Sequence, residues 1–150
     1  MIFLKRPLIF ILLIGILIRL LLSAVTFHTD IQHFDLAGYV IGKGNVSNFY
    51  DYTYSLGKEF NYPPAIYFSV GVLNWILTGW TDQSFHDKFL FDFKNTLGDL
   101  RLHLHLVLLK IPYLPFDIAT AYLLYNLFAA KREKLLAFTL WIFNPWVLYS

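Results

Sequence analysis

Residues 7–27 read PLIFILLIGILIRLLLSAVTF, 21 residues with a single charge, Arg19. A membrane-spanning helix needs roughly 20 mostly apolar residues to cross a hydrocarbon core of about 30 Å, and this run meets that length. It follows Lys5 and Arg6, so its start resembles a secretory signal. The run is longer than the roughly 7–15-residue apolar core of such a signal, and no A-x-A-like cleavage site follows it. It reads instead as a retained first span whose N-terminal side is cytoplasmic, by the positive-inside rule.

The composition of the whole chain agrees. Of 150 residues, 57% are hydrophobic, 19% aromatic and only 15% charged. A soluble domain carries about 25% charged residues, and a disordered chain lacks this aromatic and aliphatic content. Twelve basic residues stand against ten acidic ones without a basic block, which excludes a nucleic-acid partner. The absence of cysteine excludes disulfides, thiolate metal sites and cysteine redox chemistry.

Three further apolar segments follow, at residues 61–80, 111–130 and 135–150. Only the middle one holds a charge, Asp117. The reading is therefore an all-α, polytopic transmembrane helical bundle, an integral multi-pass membrane protein. Its first loop, residues 28–60, lies on the non-cytoplasmic side and carries short helices. The last segment has length for only about 24 Å at about 1.5 Å per residue, which would end inside the bilayer. Residues 1–150 are thus expected to be the N-terminal part of a longer transmembrane domain. The topology holds one conflict. If the first three segments all cross, Lys131, Arg132 and Lys134 fall outside, against the positive-inside rule. If residues 63–80 are re-entrant or half-buried, the same cluster falls inside.

Polar chemistry concentrates in the external loop, which reads HTDIQHFDLAGYVIGKGNVSNFYDYTYSLGKEF. Residues 31–41 suit a short helix, with Phe34, Gly38 and Ile41 on one side, that Gly42, Gly44 and Asn45 then break. Tyr62-Pro63-Pro64 opens the next segment, since proline is tolerated in a first helical turn. Between residues 81 and 101, Phe85, Phe89, Phe93 and Leu97 recur every four residues. That spacing predicts an amphipathic helix on the membrane surface, or else a solvated connector with some packing.

Two charges inside the spans need a reason. Arg19 sits near the middle of the first, where a charge costs roughly 2.5–3.5 kcal/mol on insertion scales. Asp117 lies in the third, and Lys110 precedes it by two helical turns. Each is either part of a structural ion pair or snorkelling to the interface, or it lines a cavity for an anionic head group. His103 and His105, and His28 and His33, lack the i, i+4 spacing of a helical metal pair, and no metal site is expected from them. No phosphate loop or nucleophile elbow is present.

The pieces Thr29-Asp30-Ile31, Tyr62-Pro63-Pro64, KIPYLPFDIATAYLLY (residues 110–125) and LWIFNP (residues 140–145) follow one another in a particular order. In that order the chain resembles the N-terminal module of GT-C fold glycosyltransferases that use polyprenyl-phosphate sugars. The likeness is to GPI mannosyltransferase-type and bacterial mannosyltransferase-like proteins. The resemblance implies transfer of a sugar, of the hexose or mannose kind, to a lipid, glycan or protein acceptor at the non-cytoplasmic face. The membrane would be the plasma membrane in a bacterium or the endoplasmic reticulum in a eukaryote.

Carried over by position, the family's first loop carboxylate is Asp30, the expected catalytic base of an inverting transfer. The second position of the family's frequent Asp-x-Asp pair is Gln32, so the pair is incomplete, with Asp35 nearby. Arg19, Gln32, Asp35, Tyr62, Lys110 and Asp117 are the expected substrate-binding residues, Lys110 and Arg19 being candidates for the departing phosphate. No cofactor is expected, a divalent metal being left open. The other reading of Asp30 is a solvated loop acid. The other classes for the chain are a transporter or flippase, which would use Arg19 and Asp117 along a polar pathway, and a noncatalytic membrane subunit.

Overall fold

Helix α1 (Lys5–Val25) has two faces of opposite character. Gly15, Arg19 and Ser23 recur every four residues and are buried, whereas Ile9, Leu13, Leu17, Leu21 and Val25 form a stripe between 52% and 67% exposed. Residues at i and i+4 share a helix face, so the small and polar residues face protein and the aliphatic ones do not. The structure, a computed structural model, describes residues 5–79 and 81–149. Residues 1–4, Trp80 and Ser150 lie outside the described residues, and with them the beginning of the basic start and the expected ends of the second and fourth apolar segments. Among the described residues there are helices and turns and no strand.

The chain divides into two compact units. The first joins Met1–Thr26 to Tyr113–Ser150. Here α1 meets α7 (Leu114–Leu127), α8 (Lys131–Ile142) and α9 (Pro145–Tyr149). Ala121, Phe138 and Ile142 form the buried centre, with Leu8, Leu12 and Trp141 packed around it. A side chain on Gly15 would overlap Ile142, so only glycine lets α1 approach there. The apolar run expected to span at 135–150 is broken. Helix α8 stops before Asn144, whose Oδ1 accepts from Trp146 N at 3.0 Å, and Pro145 opens a new turn.

The second unit, Phe27–Pro112, contains α2 (Thr29–Gly42), α3 (Phe49–Ser55), α4 (Pro64–Thr78), α5 (Gln83–Phe91), a 3₁₀ turn (Phe93–Thr96) and α6 (Arg101–Lys110). Its most extensive helix contact is α2 on α4. That contact depends on missing side chains: a Cβ on Gly38 would stand 2.9 Å from Trp75 N, and one on Gly71 would stand 3.0 Å from Ala37 Cβ. Helix α2 covers the stretch expected to be helical and ends where the glycines predict, with Gly44 at φ +77°. Phe85 and Phe89 sit in the core beside Leu90, Leu106 and Leu109. Protein therefore fills the phenyl face of α5, which agrees with the packed connector of the two expected readings rather than with a helix lying on the membrane.

Among the described residues two helices are long and apolar enough to cross a membrane, Pro7–Val25 and Arg101–Leu127. The second runs through α6, a 3₁₀ turn (Ile111–Tyr113) and α7. The turn falls at Pro112, which has no N–H to give to an α-helical ladder. The second helix begins ten residues before the expected third segment. Helix α4, the expected second segment, has 15 residues, about 22 Å of helix, and falls short of a full crossing.

Candidate functional site

The first turn of α2 follows the end of α1 by four residues and presents Asp30. Unpaired N–H groups at a helix start favour an acid there. The Asp30 side chain is 47% exposed, with His28 Nδ1 3.2 Å from its Oδ2. His28 Nδ1 also accepts from Asp30 N at 3.3 Å, closing the start of the helix. The Tyr62 hydroxyl donates to Asp30 Oδ1 at 2.7 Å. Tyr62 is held just before α4 by Pro63, which is extended, and Pro64, which starts the helix. Phe34 and Phe60 lie against its ring. Two pieces of the sequence likeness, Thr29-Asp30-Ile31 and Tyr62-Pro63-Pro64, are thus in direct contact.

The neighbours of Asp30 on α2 point elsewhere. Gln32 Nε2 donates to the carbonyls of Phe89 at 2.6 Å and Leu90 at 3.1 Å, so its amide fastens α2 to the end of α5. Gln32 thus has its amide donor engaged within the fold. It also lines a small cavity with His33, Leu36, Lys58 and Leu90.

Asp35 is fully buried and faces two histidines that did not stand out together in the sequence. His105 Nε2 on α6 lies 3.0 Å from Asp35 Oδ2 and His86 Nε2 on α5 lies 2.9 Å from the same oxygen. Burial acts to raise the Asp35 carboxyl, but the hydrogen bond from His105 and the close approach of both imidazoles hold it below the usual carboxylate range. His86 carried no spacing signal, since its partners are on two other helices. The histidine nearest to His105 in sequence is His103, two residues away on the same helix.

In the first unit, Arg19 Nη1 donates to Asp117 Oδ2, and both side chains are largely out of solvent. Trp141 Nε1 donates to the Asp117 carbonyl at 3.1 Å, which joins the last two pieces of the likeness. Arg19 and Asp117 therefore form an ion pair. Arg19 Nε and Nη2 have no hydrogen-bond partner among the described residues. Lys110 ends α6 and is 5% exposed.

No family model, no curated protein and no solved structure matches this chain.

Proposed function

We propose that this chain acts in a membrane glycosyltransferase that moves a hexose of the mannose kind from a polyprenyl-phosphate donor to a lipid, glycan or protein acceptor. The transfer is inverting, takes place at the non-cytoplasmic face, and uses Asp30 as general base. The observation that carries this reading is the hydrogen bond from Tyr62 to Asp30. It ties together two motifs of the resemblance and leaves Asp30 half-exposed, five residues in sequence past the end of an apolar helix.

The chemistry asks little of the protein. As the acceptor oxygen attacks the anomeric carbon, Asp30 takes the hydroxyl proton and the bond to the phosphate oxygen breaks. The lipid phosphate leaves with the electron pair. One positioned carboxylate suffices for such a base, so Gln32 at the family's second acidic position is no obstacle. Tyr62 keeps Oδ1 oriented, and Oδ2, beside His28 Nδ1, is the oxygen that takes the proton.

The two long apolar helices also support a topology. With α1 and Arg101–Leu127 as the crossings, residues 28–100 lie on the non-cytoplasmic side. Lys131, Arg132 and Lys134 then return to the side of Lys5 and Arg6, and the positive-inside conflict disappears. Purified full-length protein in liposomes, supplied with a radiolabelled polyprenyl-phosphate mannose, tests the function. Label should appear in an acceptor. Movement of intact donor across the bilayer without sugar transfer would overturn the reading in favour of a flippase, and neither activity would favour a noncatalytic subunit.

A further inference from the structure

The geometry points to a binding site for a divalent transition-metal ion of the Zn²⁺ type, held by Asp35, His86 and His105. The three residues come from the middle of α2, the first turn of α5 and the middle of α6. One ligand atom from each lies within 4.8 Å of the others, and all three residues are buried. Bonds of roughly 2.0–2.2 Å from an ion to nitrogen and oxygen place neighbouring ligand atoms roughly 3–3.5 Å apart. The two His–Asp separations of 2.9 and 3.0 Å are already close to that.

A hydrogen-bonded triad accounts poorly for the same atoms. His86 Nε2 and Asp35 Oδ1 are buried and have no hydrogen-bond partner among the described residues, although His86 Nε2 is within 2.9 Å of Oδ2. The short contact is out of line for a hydrogen bond. Buried polar atoms are rarely left so. An ion would use the lone pair of His86 Nε2 and both oxygens of Asp35. It does nothing for the third such atom, His105 Nδ1.

The donor set selects the class of ion. Two imidazoles and a carboxylate suit Zn²⁺ and its first-row neighbours, whereas Ca²⁺ and Mg²⁺ prefer oxygen ligands. Access is through a cavity of about 200 Å³ lined by Tyr39, Trp75, Gln83 and His86, which reaches the cluster at His86. A fourth ligand, a water molecule, enters from that side. The ion acts as a staple joining α2, α5 and α6, and so steadies the helix whose first turn carries Asp30.

The test uses the full chain purified in detergent, stripped with a chelator, desalted and titrated with Zn²⁺ or Co²⁺. The site predicts one Zn²⁺ per chain by elemental analysis, a melting temperature several degrees higher with the ion, and visible absorption from bound Co²⁺. His86→Asn should lose the stoichiometric ion, while His28→Asn, at an exposed histidine, should keep it. Wild-type protein that retains no Zn²⁺ after titration overturns the proposal, whether or not the variant folds. Equal binding by His86→Asn and wild type overturns it as well. None of these readouts involves sugar transfer, so their failure leaves the glycosyltransferase reading standing.

Discussion

The Tyr62 hydroxyl donates a 2.7 Å hydrogen bond to Asp30 Oδ1 across 32 residues of sequence. The pair lies at a partly exposed position, where a hydrogen bond is worth about 0.5–1.5 kcal/mol. Tyr62→Phe should therefore melt close to wild type. Its transfer rate should fall by about tenfold, the equivalent of about 1.4 kcal/mol, because the carboxylate loses its orientation. Kinetics and melting measured side by side check this, and an unchanged rate would detach Tyr62 from the site.

The crossing of α2 and α4 predicts a packing effect. A Cβ on Gly38 would meet Trp75 N at 2.9 Å and Gly71 O at 3.1 Å, both backbone atoms that move only if the helices part. Gly38→Val should cost about 1–3 kcal/mol by overpacking, more than the roughly 0.3–0.5 kcal/mol gained in helix propensity. Thermal unfolding in detergent should show a lower melting temperature. A variant as stable as wild type would contradict the close approach.

Arg19 and Asp117 should behave as one unit. Removing one partner leaves a charge unpaired away from solvent, at about 3–5 kcal/mol. Arg19→Leu and Asp117→Leu should each reduce stability and yield in the membrane, while the double variant should recover most of the loss. A double variant no better than either single would contradict the pairing.

Asp99 supplies a pH dependence. The Arg101 side chain and backbone N–H hold its carboxyl down to about 2 from an ordinary 3.8. A group depressed on folding contributes stability above its unfolded value and loses it as the pH falls through the folded one. The contribution is thus full above 3.8 and gone by about 2, and it is small because the pair is exposed. The melting-temperature gap between wild type and Asp99→Asn should be present near neutral pH and close across that window.

Much of this arrangement is readable in the residues. The uncharged run before and after Arg19 announces α1, and Gly42 with Gly44 marks the end of α2. Phe85 and Phe89 declare one buried helix face, but periodicity does not say whether lipid or protein covers it. The second long apolar helix is harder to see, because His103, His105 and Lys110 interrupt its apolar stretch and disguise its start at Arg101. Residues 61–80 look like a span by composition, yet Gly71 is there to seat α4 against α2. The Asp35, His86 and His105 cluster has no local signature, since each residue comes from a different helix. Its members meet only once α2, α5 and α6 have packed.

The central claim rests on Asp30. Asp30→Asn keeps the side chain's size and an oxygen for the Tyr62 hydroxyl but removes the proton acceptor. The direct measurement is turnover of a polyprenyl-phosphate sugar by full-length protein, wild type against this variant, with donor binding measured alongside. Turnover should fall by about 10²–10⁴-fold, the usual contribution of a general base, with expression and donor binding little changed. Wild-type turnover by Asp30→Asn would contradict the account.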